Sequence, residues 1–380
     1  MSARKLNSII LGLLPVIMIY RVPFTGFGLS TLMVAYLALF SILGLFENNG
    51  KMIIEWSLSA FFLYIILRNI GNGLFSVFYL LAFIVILGAR HGTFKIKITM
   101  LTIEYVSLFI SLIVIVQTIA HYVFGINLQT LYSAVVLDEY RGILGYSINR
   151  GIFRPSGLFL EPAHFAQYAI IALLLNMRKE KLSAGRLIIL SAAILCSTSG
   201  IGILLMIAAY GYLLLIRTKE TEKRKRLQYF LIFGVGMLIV GIIVSQVPII
   251  QSAVNRIFGQ DDTGYNAIAG RSVHWEATVQ QLSGINIFFG VGPKDYRVKG
   301  FITGLNEIIY YYGYVGLGIM AVAIIDSMIK RFKDRSWNAV ICIVYIALLA
   351  ASDVVGFIMI SFWFSLFSAL SVKEESLSKS

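Results

Sequence analysis

The sequence RPSGLFLEPAHFAQYAIIALLL, residues 154–175, joins a polar segment to an apolar run. Its second half has no charged residue, as expected of a helix that lies in lipid. Its first half carries Arg154, Glu161 and His164 next to that run. An arginine, a carboxylate and an imidazole at the start of an apolar helix predict polar chemistry at a membrane surface.

The composition of the whole chain predicts a polytopic membrane protein of the all-α class. Of the 380 residues, 58% are hydrophobic and 13% are charged, and the mean hydropathy is +0.83. Soluble domains carry about 25% charged residues. The first apolar run follows Arg4 and Lys5 and has no small-residue cleavage site after it, so we expect a retained span.

The hydropathy pattern predicts about twelve transmembrane helices in one integral membrane domain, residues 1–380. The predicted spans are 6–20, 29–46, 52–67, 73–88, 101–124, 162–177, 184–198, 200–216, 228–247, 303–326, 337–352 and 354–370. The apolar run 187–216 is too long for one helix. We expect its STSG sequence, residues 197–200, to divide it into a hairpin.

The distribution of positive charge predicts the orientation. Twelve spans place both termini and the tail 371–380 on one side. That side receives most of the lysines and arginines, in the segments 4–5, 51, 90–97, 178–186, 217–226 and 330–335, and is predicted to be cytoplasmic. The short loops of the other side carry only Arg21 and Arg68. Much of the net charge of +13 therefore reflects topology, and nucleic acid is not expected as a partner.

Two long loops are predicted on the outer side, at about 125–161 and 248–302. Their basic residues are Arg141, Arg150, Arg154, Arg256, Arg271, Lys294, Arg297 and Lys299. Acidic residues offset these charges within each loop. Long loops in a protein whose other loops are short are usually functional.

Two interpretations of Glu161 follow from its place before Pro162, which fits the first turn of a helix. Glu161 can cap that helix and complement its dipole. It can also act as a general base that accepts a proton from a hydroxyl. His164 lies about one turn further on, as a polar residue of the helix end or as a substrate ligand.

The second loop contains two further candidate segments. GRSVHWEATVQQLSG, residues 270–284, is typical of an amphipathic helix at the membrane surface, with Arg271 and His274 on one polar face. GVGPKDYR, residues 290–297, predicts a glycine-rich turn that carries Lys294, Tyr296 and Arg297. It lacks the lysine pattern of a nucleotide-binding loop.

Arginines, a carboxylate and aromatic residues at an outer membrane face suit a lipid-linked pyrophosphate. Arginine binds phosphate through two parallel hydrogen bonds, and fixed arginines can stabilise a pyrophosphate leaving group without a metal. The aromatic residues can stack on sugars or form an interfacial belt. Cys196 and Cys342 are distant and lie in apolar runs, so no metal site, cofactor or disulfide is expected.

The sequence motifs resemble those of a known family. RPSGLFLEPAHFA resembles the arginine, glycine, phenylalanine and Glu-Pro signature of the O-antigen and capsular polysaccharide polymerases (Wzy-type). The STSG sequence, the GR…W…GVG segment (270–292) and YYYGYVGLG (310–318) resemble later elements of the same polymerase and ligase superfamily. The resemblance covers roughly residues 100–326.

The resemblance implies a metal-independent, inverting glycosyltransferase of the bacterial inner membrane, acting in lipopolysaccharide or capsule biosynthesis. The donor is a glycan on undecaprenyl pyrophosphate, and the acceptor is a lipid-linked repeat unit. The bilayer is the surrounding partner, and a chain-length regulator is a further candidate partner. The implied catalytic residues are Arg154, Glu161 and Arg271, with His274 as the second candidate base. The candidate substrate-binding residues are Arg141, Arg150, His164, Lys294, Tyr296, Arg297 and Asn306.

Two alternatives remain. Ligases of this superfamily carry a histidine late in the second loop, where this chain has Asn306 and Glu307 in FITGLNEIIYYYG. This difference favours a polymerase over an O-antigen ligase that transfers glycan to lipid core or protein. A glycolipid flippase or transporter would be expected to place its charges near the middle of the membrane.

Overall fold

The computed structural model describes residues 2–22, 25, 27–47, 56–71, 73–138, 141, 153–177, 179, 182–219, 282–292, 303–332, 337–352 and 354–377. Within these residues the chain is mostly helical and has no strand, which confirms the all-α prediction. The helices are α1 (Ala3–Ile17), α2 (Leu29–Glu47), α3 (Trp56–Arg68), α4 (Gly73–Arg90), α5 (Ile96–Phe124), α6 (Pro162–Met177), α7 (Ala184–Cys196), α8 (Gly200–Lys219), α9 (Asn286–Phe289), α10 (Gly304–Phe332), α11 (Trp337–Ala351) and α12 (Phe357–Leu377). A 3₁₀ helix, Leu128–Val135, follows α5.

A helix occupies every run predicted to span the membrane except 228–247, which lies outside the described residues. Two of the described helical segments, Ile96–Phe124 and Gly304–Asp326, are long and apolar enough to cross a bilayer. Eight other apolar helical segments are shorter, with 10–17 residues each. Length and composition thus point to membrane association.

The STSG sequence divides the long apolar run as predicted. Helix α7 ends at Cys196 and α8 begins at Gly200. The hydroxyls of Ser191 and Tyr210 lie 2.8 Å apart, whereas 19 residues of one straight helix would separate them by about 28 Å. The chain therefore reverses at this turn.

The contacts divide the chain into two compact units. The first comprises 1–103, 135–137 and 271–380, and the second comprises 104–134 and 138–270. The prediction of one domain for 1–380 stays a prediction.

In the first unit, α4 packs against α2, α3 and α12, and α10 packs against α3, α9 and α11. One core cluster joins side chains of α1, α2, α4 and α12, with Phe94 from the α4–α5 connection. It contains Leu11, Leu14, Val34, Leu37, Ala38, Val85, Ala89, Phe94 and Ile358. This apolar packing fixes α1, α2, α4 and α12 relative to one another.

In the second unit, α6 packs against both α7 and α8. Helix α6 is buried over nearly its whole length, from Phe165 to Met177. A Cβ added at Gly202 of α8 would overlap the Cβ of Ala166, so glycine permits the close approach of α6 and α8. The turn before α6 and the turn between α7 and α8 are thereby held on a rigid support.

Candidate functional site

The RPSG segment, residues 154–157, is attached to α5 through one glutamine. The N–H of Gly157 donates to Oε1 of Gln117 at 3.0 Å, and Nε2 of Gln117 donates to the Gly157 carbonyl at 3.1 Å. Gly157 has φ 63°, and a Cβ there would overlap Ile110. Only glycine fits this conformation and this spacing, which explains the glycine of the RPSG segment.

A second glutamine, from the 3₁₀ helix, holds the backbone on the other side of this segment. Nε2 of the buried Gln129 donates to the Arg154 carbonyl at 3.2 Å and to Oγ of Ser156 at 3.1 Å. The Ser156 hydroxyl donates to the Phe159 carbonyl at 2.7 Å. The segment around Arg154 is therefore fixed by buried amides, which positions its side chain in advance of any ligand.

The Arg154 side chain reaches the STSG turn. Its Nε donates to Oγ1 of Thr198 at 3.3 Å. Thr198 has φ 51°, an uncommon conformation for a residue branched at Cβ. The next residue, Ser199, accepts from the N–H of Gly202 at 3.3 Å and so caps α8. Two motifs that the sequence showed separately are thus in contact, and the strained Thr198 presents its hydroxyl to the arginine.

Glu161 lies at the N-terminus of α6, as predicted. Its carbonyl accepts from the N–H groups of His164 at 3.1 Å and Phe165 at 3.2 Å. Its side chain is half-buried. In the part of the chain that the structure describes, no hydrogen bond or salt bridge engages its carboxylate. Nδ1 of His164 is buried without a hydrogen-bond partner there.

Aromatic residues on both sides of the RPSG segment pack against neighbouring helices. Phe153 stacks on His121 with ring centroids 4.1 Å apart, and its carbonyl accepts from the Tyr122 hydroxyl at 3.3 Å. Phe159 packs on Tyr168 at 5.5 Å. These contacts anchor both sides of the RPSG segment in apolar surroundings.

The other predicted site residues fall into two groups. Arg141 is exposed, pairs with Asp138 at 3.0 Å and donates to the Ala134 carbonyl at 3.2 Å. Asn306 is half-buried in the first turn of α10. Arg150, Arg271, His274, Lys294, Tyr296 and Arg297 lie outside the described residues.

The start of the predicted glycine-rich turn is described, at residues 290–292. Gly290 and Gly292 have φ 72° and 80°. The N–H groups of Val291 and Gly292 donate to the carbonyls of Tyr310 at 2.9 Å and Tyr311 at 3.1 Å. The turn thus lies against helix α10.

Helix α10 is interrupted where this turn contacts it, which the sequence analysis did not predict. Gly313 has φ 69° and ψ −176° inside the helix. A Cβ at Gly313 would overlap the Phe288 carbonyl, and the Tyr312 carbonyl accepts from the Tyr64 hydroxyl at 2.7 Å. The glycine of YYYGYVGLG was visible in the sequence, but its conformation depends on contacts with distant residues.

The sequence indicates Glu104 as an acid inside an apolar run, but it does not predict the two cationic partners that the structure gives it. Glu104 is 3% exposed and accepts from Nζ of Lys179 at 2.5 Å and from the Arg186 guanidinium. The Arg186 guanidinium also lies 5.6 Å from the Tyr105 ring centroid. The available signal was a glutamate inside an apolar run with basic residues beside two later runs. Such a signal does not identify which charges meet.

Comparison with protein-family models and with curated proteins gives no match to this chain. The second unit combines the positioned guanidinium of Arg154 with the carboxylate of Glu161 at the start of α6, and these groups can bind an anion and accept a proton.

Proposed function

We propose that this protein is a lipid-linked polysaccharide polymerase of the bacterial inner membrane. It joins oligosaccharide repeat units carried on undecaprenyl pyrophosphate at the periplasmic face. The observation that carries the proposal is the contact between Arg154 and Thr198, because it joins the RPSG and STSG sequences on which the family resemblance rests.

The proposed reaction needs an anion-binding group and a base. Arg154 binds the pyrophosphate of the donor, which leaves with its electron pair as the bond to the anomeric carbon breaks. The acceptor hydroxyl oxygen attacks the same carbon from the opposite face, which inverts its configuration. Glu161 takes the hydroxyl proton, so the carboxylate becomes a carboxylic acid. Glu161 lies half-buried at the start of α6, and no described residue forms a hydrogen bond or salt bridge with its carboxylate.

The proposal places twelve helices across the membrane, with both termini in the cytoplasm. The long apolar helices α5 and α10 support it, as does the charge asymmetry of the loops. Arg271 and His274 of the second loop remain candidate catalytic residues on the basis of the sequence alone.

The Glu104 cluster favours an enzyme over a transporter. Glu104 is the ninth residue of α5, about 12 Å from its start. Its partners, Lys179 and Arg186, lie just beyond the end of α6 and in the first turn of α7. This buried charge is thus compensated near helix ends on the predicted cytoplasmic side. A transporter would be expected to hold such a charge in a central pathway.

The test is deletion of the gene followed by electrophoresis of the surface glycan. A strain that lacks a polymerase should carry single repeat units on its acceptor, and the long-chain ladder should return with the parent gene. Loss of every repeat unit from the acceptor would indicate a ligase instead. An unchanged ladder would contradict both functions.

A second arm uses the purified chain in phospholipid nanodiscs with a lipid-linked repeat unit as the only substrate. A polymerase should form lipid-linked dimers and longer products without a lipid-core or protein acceptor. Absence of these products from a folded preparation, with activity restored by adding lipid core, would support the ligase.

A further inference from the structure

Arg68 belongs to the first unit. Like Arg154, it is an arginine that the charge distribution predicts on the outer side of the membrane. It is the last residue of α3 and is half-buried. Its Nη2 donates to the Gly290 carbonyl at 2.8 Å, so its guanidinium lies beside the Gly290–Gly292 turn. From the sequence alone, Arg68 is a positive charge of a short loop and has no predicted role.

The turn does not depend on Arg68 alone for its position. Two backbone hydrogen bonds, from Val291 and Gly292, already hold it against α10. Gly290 also packs so closely on Tyr311 that a Cβ there would overlap the backbone. The contact between Arg68 and Gly290 therefore directs the guanidinium more than it supports the turn.

Within the residues that the structure describes, one hydrogen bond, from Nη2 to the Gly290 carbonyl, engages this guanidinium. Arginine has five N–H donors and stays charged at all physiological pH values. Among the described residues, Nε of Arg68 is buried without a hydrogen-bond partner, and no carboxylate forms a salt bridge with the guanidinium. The C-terminus of α3 offsets part of the charge but leaves Nε without a partner.

The guanidinium of Arg68 is half-buried, and its buried Nε has no partner among the described residues, so an anion bound here would gain a charge-assisted hydrogen bond. The guanidinium fork matches the oxygens of a phosphate group. The N–H groups of Gly290, Val291 and Gly292 are already bonded, so the guanidinium supplies the recognition.

We propose that Arg68, directed by the Gly290 carbonyl, binds a phosphate group at the outer membrane surface. The inference rests on the proposed function for its orientation in the membrane. The same phosphate chemistry is found in a lipid-linked pyrophosphate and in an anionic phospholipid headgroup, and the experiment separates these two sources.

The experiment measures binding of farnesyl pyrophosphate to the full chain in phosphatidylcholine nanodiscs. Arg68→Gln should weaken binding at least about tenfold, which corresponds to the loss of a charged hydrogen-bonded pair. The matched control is Tyr64→Phe. It removes the hydrogen bond to the Tyr312 carbonyl beside the same turn but leaves Arg68 in place. Tyr64→Phe should bind within about twofold of the parent, because it removes no charge.

Competition identifies the source of the phosphate. If nanodiscs that contain phosphatidylglycerol weaken farnesyl pyrophosphate binding in the parent but not in Arg68→Gln, the site accepts bilayer headgroups. If they leave binding unchanged in the parent, the site selects the pyrophosphate. Both results support a phosphate site at Arg68.

Parent-level binding by folded Arg68→Gln would overturn the proposal, and so would an equal loss in Tyr64→Phe, which would assign the effect to the architecture of the turn. If Arg68→Gln does not fold, Arg68→Lys decides the matter, because lysine keeps the charge and lacks the fork. Parent-level binding by Arg68→Lys then contradicts the proposal, and weakened binding supports it.

The readout is independent of turnover. If binding depends on Arg68 but the chain forms no polymer, the phosphate site is supported and the proposed reaction is contradicted. If the chain forms polymer but binding does not depend on Arg68, the proposed reaction is supported and the phosphate site is contradicted.

Discussion

Nε of Arg154 donates to the hydroxyl of Thr198 at 3.3 Å across 44 residues of sequence. The contact joins the segment before α6 to the turn between α7 and α8. An arginine held in this way has lost conformational freedom before a ligand arrives, which lowers the entropic cost of binding an anion.

Arg154→Lys should reduce polymer formation at least about tenfold, because lysine keeps the charge but cannot offer two parallel hydrogen bonds. Thr198→Val should give a smaller loss, corresponding to one hydrogen bond of about 1 kcal/mol. Thr102→Val is the matched control, since the Thr102 hydroxyl bonds to the Ile98 carbonyl of its own helix. Initial rates with purified chain measure the effect, and equal losses at Thr102 and Thr198 would contradict the orienting role.

Glu161→Gln should abolish turnover and leave donor binding intact, because glutamine preserves the shape of a capping side chain but is not a base. Glu307→Gln is the control, because Glu307 is a glutamate near the start of a different helix, in the first turn of α10. Single-turnover rates and donor binding are measured on the same preparations. Near-parent rates in Glu161→Gln would show that Glu161 is structural and leave His274 as the candidate base.

Lys179→Met and Arg186→Met should each cost little stability, because Glu104 keeps one cationic partner in either variant. The double variant leaves a carboxylate that is 3% exposed without a salt bridge from either residue. We expect it to lose about 3–5 kcal/mol, more than the sum of the single losses. Thermal unfolding of the three variants in detergent tests this prediction, and additive losses would contradict it.

Gly313→Ala should destabilise the protein by at least about 2 kcal/mol, since its backbone conformation is nearly restricted to glycine and the added methyl would overlap the Phe288 carbonyl. Gly318 belongs to the same helix and has open space around it. Gly318→Ala should therefore change stability by at most about 1 kcal/mol, towards greater stability. Equal effects at the two positions in thermal unfolding would contradict the interruption of α10.

Cysteines introduced at 138 and 262 should react with an impermeant maleimide in intact cells, because both positions lie in loops predicted to be periplasmic. Asp138 is described, and its side chain is 77% exposed. Position 262 lies outside the described residues. The native Cys196 and Cys342 are replaced first, and a cysteine in the predicted cytoplasmic tail serves as the protected control. Labelling of 138 and 262 only after lysis would reverse the topology.

The positions of the helices were predictable from the sequence because apolar runs and their breaks are local properties. The start of α6 at Pro162 and the division at STSG both follow from residue types at one point in the chain. The pairing of distant residues was not predictable in this way. Nothing local indicates that Gln117 binds Gly157 or that Gly313 meets Phe288.

In the candidate site too, the individual residues were predictable from the sequence, whereas their contacts with distant residues were not. Arg154, Glu161 and His164 were identified from their place beside an apolar run. The contact between Thr198 and Arg154 depends on the packing of the helices. The same holds for the buried Nε of Arg68, which has no partner among the described residues. A single sequence does not specify which loop residue reaches which helix end, since those contacts depend on the arrangement of several helices.

The amide of Gln117 both accepts from and donates to the backbone of Gly157, 40 residues away. It therefore recognises the main chain of the RPSG segment and makes no demand on neighbouring side chains. This relationship changes how distant relatives can be sought. A search pattern that begins at Arg154 omits Gln117, which lies in the preceding apolar helix and binds the RPSG segment. Adding that upstream position would let a short and degenerate pattern separate true relatives from chance matches among other hydrophobic sequences.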